Sequence, residues 1–294
     1  MSQRSFLLAV APLLFVLIWS TGWIVAKFAS FDADPLTFLV VRFLCAILAL
    51  LPITVLGGGV WPRGRAEIGH AMISGVFLHG LYLGGVWWAV AHGVPAGLSA
   101  VIAALQPLMT AALAPLLSHE RIGGRRIAGF AVGFLGIVVV VWPKLAGLSG
   151  AAFAAAVGPL AINVAAMLAV TIGTFWQKRF VVAGGLMQVA TLQYVGAVIV
   201  TAPVALAIED LRFEVTTSSL LTLAWSVVGL SIGAIALLLH LLRCGEVSRA
   251  ASFIYLVPPA AALEAWFFFG ETLTILQVFG MIVTACGVAL ASRR

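Results

Sequence analysis

The chain has little charge and little cysteine. Only 9% of its 294 residues are charged and 63% are hydrophobic, a balance that excludes a soluble globular domain. Cys45, Cys244 and Cys286 lie in or beside apolar segments without metal-ligand spacing, which argues against a disulfide framework. We therefore expect packing roles for the cysteines, and neither a metal nor a cofactor.

Signatures of membrane-embedded chemistry are also missing. The sequence contains no H-E-x-x-H motif, no nucleophile elbow and no paired membrane aspartates, so an intramembrane enzyme is disfavoured. A simple channel would need a wide or charged pore, and no pattern marks one.

The chain instead consists of apolar segments long enough to cross a bilayer. A hydrocarbon core about 30 Å thick needs about 20 apolar residues per helix, which leaves room for roughly ten spans and no soluble domain. The runs are continuous and do not alternate, which predicts an all-α membrane protein. Gly93-Val94-Pro95 and Gly270-Glu271-Thr272 divide two of the longest stretches. The predicted helices cover about 6–28, 36–56, 68–92, 95–117, 127–143, 154–178, 187–208, 217–242, 250–269 and 272–292.

The two halves of the chain repeat one another at a nearly constant offset. Lys27 matches Lys178 at 151 residues, and Pro107 matches Pro259 at 152. Each half holds five segments, and because five is odd, the second half enters the membrane from the opposite side. We therefore predict two inverted repeats of five helices, in residues 1–147 and 148–294. Many secondary transporters have this architecture, with the substrate site between the repeats near the bilayer midplane.

Lysine and arginine are distributed unevenly between the predicted loops. With the N-terminus inside the cell, twelve of them fall on the cytoplasmic side and three outside, which predicts cytoplasmic N- and C-termini. The net charge of +6 is thus a topology signal, and we expect no nucleic-acid partner. The external residues are Lys27, Lys144 and Arg212, and the cytoplasmic ones are Arg4, Arg63, Arg65, Arg121, Arg125, Arg126, Lys178, Arg179, Arg243, Arg249, Arg293 and Arg294.

Residues 93–138 and 245–291 resemble the EamA module of the drug/metabolite transporter superfamily. The resemblance implies ten helices, cytoplasmic termini and export of amino acids or related metabolites. The nine tryptophans are compatible with the YddG-type amino-acid exporters. The shared features are a proline within the fourth and ninth helices (Pro107, Pro259), a glutamate after them (Glu120, Glu271) and a ladder of glycines that follows (Gly129, Gly133, Gly136, Gly280, Gly287).

The matched glutamates and glycines both predict structural roles. Glu120 and Glu271 end their helices on opposite sides, and we expect each to bond the start of the next helix. Small residues let helix backbones approach closely in lipid, so the glycines predict that the fifth and tenth helices are matched scaffold elements.

Polar and aromatic residues within the spans are the candidates for a substrate site. His79 and Tyr82 lie near the middle of the third helix, and their spacing of three predicts a shared face. A packed histidine bonded to a carbonyl is the alternative interpretation. Gln106 adjoins Pro107, whose missing N–H frees a carbonyl at membrane depth; Pro258 and Pro259 predict a matching helix break. The predicted binding residues are Trp19, Ser20, His79, Tyr82, Gln106, Asn163, Trp176 and Tyr255.

Arg42 and Glu264 are the charged residues clearly inside predicted spans. Both lie about 9 Å below the external surface, counted at ~1.5 Å per residue, which predicts an ion pair that clamps or gates that side. Alternatively, Arg42 snorkels outward and Glu264 titrates alone. The repeat partner of Arg42 is Gln193, so the fold itself does not need the charge, which favours a role specific to one face.

These features predict a secondary transporter of a bacterial inner membrane that exports amino acids or similar metabolites by alternating access. Helices 1, 3, 4, 6, 8 and 9 are expected to wall the cavity, and one chain is expected to suffice. The rival within transport is a proton-coupled exporter of lipophilic cations, with Glu264 as its carboxylate.

Single cysteines test the predicted topology in intact cells. With an impermeant thiol reagent, Ala66→Cys and Arg125→Cys should be labelled only after the membrane is opened, whereas Asp34→Cys and Thr217→Cys should be labelled from outside. Labelling at positions 66 and 34 from one side would contradict the alternation of spans.

Overall fold

The regular structure of this protein is helical. The computed structural model describes residues 3–118, 124–234, 237 and 256–292, and within them the β-pairing is a single isolated bridge between Ala33 and Phe213. Six of the described helices are long and apolar enough to cross a membrane, and shorter apolar helices accompany them. The prediction of an all-α membrane protein is confirmed.

The helices follow the predicted apolar segments along the chain. The predicted ends at 208 and 269 and the predicted start at 217 coincide with helix bounds. In chain order they are α1 (Gln3–Asp32), α2 (Pro35–Leu56), α3 (Arg65–Ala91), α4 (Ala96–Ile102 and Leu105–Ser118), α5 (Gly124–Leu145), α6 (Gly150–Phe180), α7 (Leu186–Ile208), α8 (Thr217–Gly233), α9 (Val257–Phe269) and α10 (Ile275–Ser292).

Glycine sets both of the turns that divide the long apolar runs. Gly93, between α3 and α4, has φ of 93°, and Gly270, after α9, has φ of 65°. A side chain at such left-handed positions would be strained, whereas glycine adopts them freely. Pro95 then precedes α4 in an extended conformation. The two turns predicted from these residues are confirmed.

Proline accounts for the irregular course of α4. The helix is interrupted at Ala103–Ala104, one turn before Pro107, which has no N–H to donate to the carbonyl of Ala103. The amide of Gln106 donates to that carbonyl instead, at 3.0 Å. In α9, Pro258 and Pro259 stand in the first turn, where helical amides need no partner within the helix.

The helices of the two halves interleave rather than form separate bundles. In the described residues α2 packs against α7, α3 against α6 and α7, and α9 against α1 and α4. Because each half covers apolar faces of the other, neither half has a complete core of its own.

The closest packing joins α5 to α10 through glycine. A Cβ added to Gly136 would meet the backbone of Thr284, and one added to Gly287 would meet the backbone of Gly133. Such contact requires residues without side chains and gains dispersion energy that lipid cannot supply. The predicted close contact between these two helices is present, and their role as matched scaffold elements stays a prediction.

Large apolar side chains lie on the outer surface as well as in the core. Phe38 and Phe43 are completely buried, yet Leu56 is 85% exposed and Phe267 is 74% exposed. An apolar surface of this extent would cause aggregation in water, but it is favourable against lipid chains.

The α5–α10 contact predicts unequal costs for equal substitutions. Gly287→Ala should lower the free energy of unfolding by roughly 1–3 kcal/mol, because the new methyl group collides with backbone that cannot yield. Gly22→Ala is the control, since a Cβ there meets nothing within 4 Å. Thermal unfolding in detergent measures both; a Gly287→Ala protein as stable as the control would contradict the contact.

Candidate functional site

The third and eighth helices each contain a π-helical turn. These turns are Val76–Leu81 in α3 and Trp225–Gly233 in α8. At the repeat offset of 151, residues 76–81 correspond to 227–232, so the two turns occupy equivalent positions. Turns of this kind are rare and often mark functional sites. The sequence pattern predicts neither of them.

Equivalent polar side chains of α2 and α7 reach α8 and α3. The Nη2 of Arg42 lies 3.4 Å from the Ser231 hydroxyl, in the π turn of α8. Gln193, the repeat partner of Arg42, donates its Nε2 to the Ser74 hydroxyl of α3 at 2.9 Å and to the Gln177 side-chain carbonyl at 3.2 Å. Each half thus directs a polar side chain of its second helix onto the third helix of the other half.

His79 completes this group from the π turn of α3. Its ring stacks on Tyr194 of α7, with centroids 4.7 Å apart and planes at 27°. Phe43, the neighbour of Arg42 in α2, lies beside both rings, with its centroid 6.3 Å from that of His79 and 5.7 Å from that of Tyr194. We call Arg42, His79, Gln193, Tyr194 and Ser231 the Arg42 cluster. It draws on α2, α3, α7 and α8 and therefore on both halves.

Arg42 is held in the interior with few partners. The residue is 5% exposed, its guanidinium lies over the Trp87 ring at 5.5 Å, and its buried Nε has no hydrogen-bond partner among the described residues. On insertion scales a charge at the centre of a membrane helix costs roughly 2.5–3.5 kcal/mol. A cation kept at that cost is a candidate for function.

The predicted ion pair between Arg42 and Glu264 is not formed, which corrects the prediction for this conformation. Glu264 of α9 instead accepts a hydrogen bond of 2.6 Å from Ser20 of α1. The ion pairs within the described ranges join Arg212 to Asp34 and Glu214 in loops. Equal depth in the membrane does not determine which helices are neighbours. Here α9 packs against α1 and α4 rather than α2.

A second polar contact between the halves joins α6 to α4. The Nδ2 of Asn163 donates to the Ser99 hydroxyl at 2.8 Å, and both residues are completely buried. The Oδ1 of Asn163 is buried without a partner in the part of the chain that the structure describes. This amide retains an unused acceptor at membrane depth.

The remaining predicted residues do not converge on one point. Tyr82 is partly buried, but the π turn before it means that a spacing of three no longer gives a shared face with His79. Trp19 is 40% exposed beside Phe15. Gln106 is half-buried after the break in α4.

Trp176 belongs to an aromatic group at the end of α6. Its ring lies 5.5 Å from His70 and 4.6 Å from Phe180, centroid to centroid. Its indole nitrogen is buried and has no hydrogen-bond partner within the described ranges. Tyr255 and Glu120 lie outside those ranges.

Tyr194 and Ser231 belong to the cluster but were absent from the sequence-based candidates. A signal for Tyr194 existed, because the chain has only three tyrosines and the other two were candidates. Tyr194 also follows Gln193, the repeat partner of Arg42. Ser231 has no such signal, since serines are common in these spans.

Glutamates cap helices across the two halves. The Glu271 carboxylate accepts the amides of Ala96 at 3.1 Å and Gly97 at 3.0 Å, at the start of α4. Glu271 was predicted to bond the next helix in the chain, α10, so its structural role holds but its partner differs. The reason is spatial: α9 ends beside the start of α4, and a carboxylate favours free amides at a helix N-terminus.

A groove of about 470 Å³ opens between α9 and the start of α10. Its walls include Pro259, Leu263, Trp266 and Met281, and it contains no member of the Arg42 cluster. The groove therefore lies apart from the buried polar residues, and we assign the candidate site to the Arg42 cluster instead.

The observed contacts predict how substitutions combine. Arg42→Leu and Glu264→Leu should change the free energy of unfolding additively, within about 0.5 kcal/mol, because the two side chains do not meet. Ser20→Ala and Glu264→Leu should depart from additivity by roughly 0.5–3 kcal/mol, because those residues share a hydrogen bond. Unfolding in detergent measures both double-mutant cycles. Strong coupling between Arg42 and Glu264, with none between Ser20 and Glu264, would contradict the observed contacts and support the ion pair.

Comparison with known proteins agrees with this architecture. The model of the EamA-like transporter family matches residues 6–142 and again residues 156–293. A probable amino-acid metabolite efflux pump of Salmonella typhimurium strain LT2 is 25% identical, over 98% of this chain and 94% of its own length. The inner membrane transporter YedA of Escherichia coli strain K12 is 27% identical, over 94% of this chain and 87% of its own length.

One solved crystal structure has the same fold. It superposes with a TM-score of 0.65 and 16% sequence identity, covering 97% of this chain and 96% of that chain, a likeness that concerns the fold alone. The family match spans nearly the whole chain in two copies and is a match to transporters rather than enzymes. This chain is a two-repeat membrane protein that belongs to the EamA-like transporter family.

Proposed function

We propose that this protein exports amino acids or related small metabolites across the cytoplasmic membrane by alternating access. The transporter family and the efflux pump among its relatives support the class of activity. The substrate site lies between the two repeats, and one chain is sufficient. Both termini face the cytoplasm, as the distribution of lysine and arginine requires.

The observation that carries the proposal is the Arg42 cluster. It places a cation, a histidine, an amide and hydroxyl groups together at membrane depth, where unneeded polar groups are costly. Aromatic rings line it, since Tyr194 stacks on Phe43 with centroids 5.7 Å apart. A small zwitterion with an apolar side chain finds both kinds of contact there.

The contacts between the halves indicate which parts separate during transport. Near the starts of α2 and α8, Glu209 accepts the amides of Leu36 and Thr37 at 2.9 and 2.8 Å, and Asp34 bonds the backbone of Arg212 at 2.9 Å. On the proposed topology these contacts close the external side. Opening to the outside requires them to break, whereas the α5–α10 contact stays intact.

The rival function is proton-coupled export of lipophilic cations. The observation that favours this rival concerns Glu264. Its second carboxylate oxygen is buried and has no hydrogen-bond partner among the described residues. Arg42 weighs against it, because a buried cation repels cationic substrates. Counterflow in proteoliposomes with amino acids and with tetraphenylphosphonium separates the two: the proposal expects flux of at least one amino acid and none of the cation.

Residues of the Arg42 cluster should affect transport more than stability. His79→Ala, Tyr194→Ala and Ser231→Ala should each reduce amino-acid counterflow at least tenfold, because each removes a group of the Arg42 cluster, where the two halves meet. His92→Ala is the matched control, since His92 is exposed at the end of α3. Flux is normalised to purified protein; wild-type flux in all three variants would place the site elsewhere.

A further inference from the structure

Arg42 is a buried cation whose hydrogen-bonding capacity is mostly unused. A guanidinium carries five N–H donors. In the part of the chain that the structure describes, its contact is the long one of 3.4 Å to Ser231, its Nε is unpartnered, and no carboxylate forms an ion pair with it. The residue is only 5% exposed, so bulk solvent reaches little of it. The side chain is therefore prepared for an anionic partner that the described residues do not provide.

The groups around Arg42 suit a carboxylate. The guanidinium carbon lies over the Trp87 ring, 5.5 Å from its centroid, and a contact of this kind with an aromatic face supplies none of the hydrogen-bond acceptors that a carboxylate would supply. The Ser231 hydroxyl lies 3.4 Å from the Nη2 of Arg42, and the Tyr194 ring stacks on Phe43, the neighbour of Arg42 in the chain. A planar carboxylate accepts two parallel bonds from a guanidinium, a geometry that lysine cannot reproduce.

The repeat provides an internal comparison. Gln193 occupies the position equivalent to Arg42 and is neutral, with hydrogen-bond partners in Ser74 and Gln177. The fold therefore accommodates a neutral, fully bonded side chain at this point of the second helix. The charge of Arg42 has a purpose other than packing.

We propose that Arg42 binds the carboxylate of the transported substrate, an inference that rests on the proposed export function. It makes Arg42 a specificity residue that selects carboxylate-bearing molecules over neutral amides and over amines. Because Arg42 is almost completely buried, the substrate reaches it only when α2 and α8 move apart. Binding at the boundary between the halves is thereby coupled to their motion.

The test compares an amino acid with its amide, in which an uncharged carboxamide replaces the carboxylate. L-phenylalanine and L-phenylalaninamide differ in the charge of the acyl end, as do L-leucine and its amide. Each compound competes for counterflow of whichever labelled amino acid the wild-type protein carries. We expect the wild type to prefer acid over amide at least tenfold, and Arg42→Gln to reduce that ratio to about one. Arg63→Gln removes a charge from the exposed loop before α3 and should keep the wild-type ratio.

Two further results decide the inference if Arg42→Gln does not fold. Arg42→Met fills a similar volume without charge, which a membrane interior tolerates, and should also lose the preference. The assignment is overturned if the acid and the amide inhibit counterflow by the wild-type protein equally. It is also overturned if a folded variant without the charge keeps the wild-type ratio of acid to amide inhibition.

Failure of the proposed function has a different signature. If the wild-type protein carries tetraphenylphosphonium but no amino acid, the proposed export of amino acids is wrong, and so is the proposed role of Arg42. Amino-acid flux with an unchanged acid-to-amide ratio in Arg42→Gln rejects only the role of Arg42.

Discussion

Lipid offers no hydrogen bonds, so polar groups at membrane depth must find their partners within the protein. Here the helix ends find them across the two halves. Glu209, at the end of α7, accepts two amides and a hydroxyl at the start of α2, and Glu271 accepts two amides at the start of α4. A carboxylate at a helix N-terminus also benefits from the helix dipole. Separating the halves would therefore leave these backbone amides without hydrogen-bond partners. For the same reason, folding of one half depends on the other.

The same constraint explains why the repeats differ where they do. A position inside a span tolerates a polar residue only with partners or with a purpose. Gln193 has partners on α3 and α6, whereas its counterpart Arg42 has one long contact and an aromatic face. The two halves share a backbone arrangement, including matched π turns, but only one of them carries the charge. Asymmetry of this kind distinguishes the faces of a transporter whose scaffold is otherwise repeated.

Much of the fold was predictable because its signals are local. Long apolar runs mark spans, Gly93 and Gly270 mark turns that require left-handed backbone, and the glycines of α5 and α10 mark close helix contact. The predictions that failed depended on the direction of a side chain around its helix. Arg42 and Glu264 share a depth but belong to helices that do not pack together. A sequence read as regular α-helix also misses a π turn, and with it the true direction of His79.

The packing separates a rigid part of the molecule from a part that can move. Between α5 and α10 the backbones touch through glycine, and any sliding would bring carbonyls and amides of the two helices into collision. In α3 and α8 the π turns interrupt the regular hydrogen-bond ladder, which lowers the resistance of those helices to bending. The Arg42 cluster joins these two deformable turns to α2 and α7. On our proposal, a ligand that draws Arg42 away from Ser231 acts on helices that can bend, while α5 and α10 preserve the frame against which they bend.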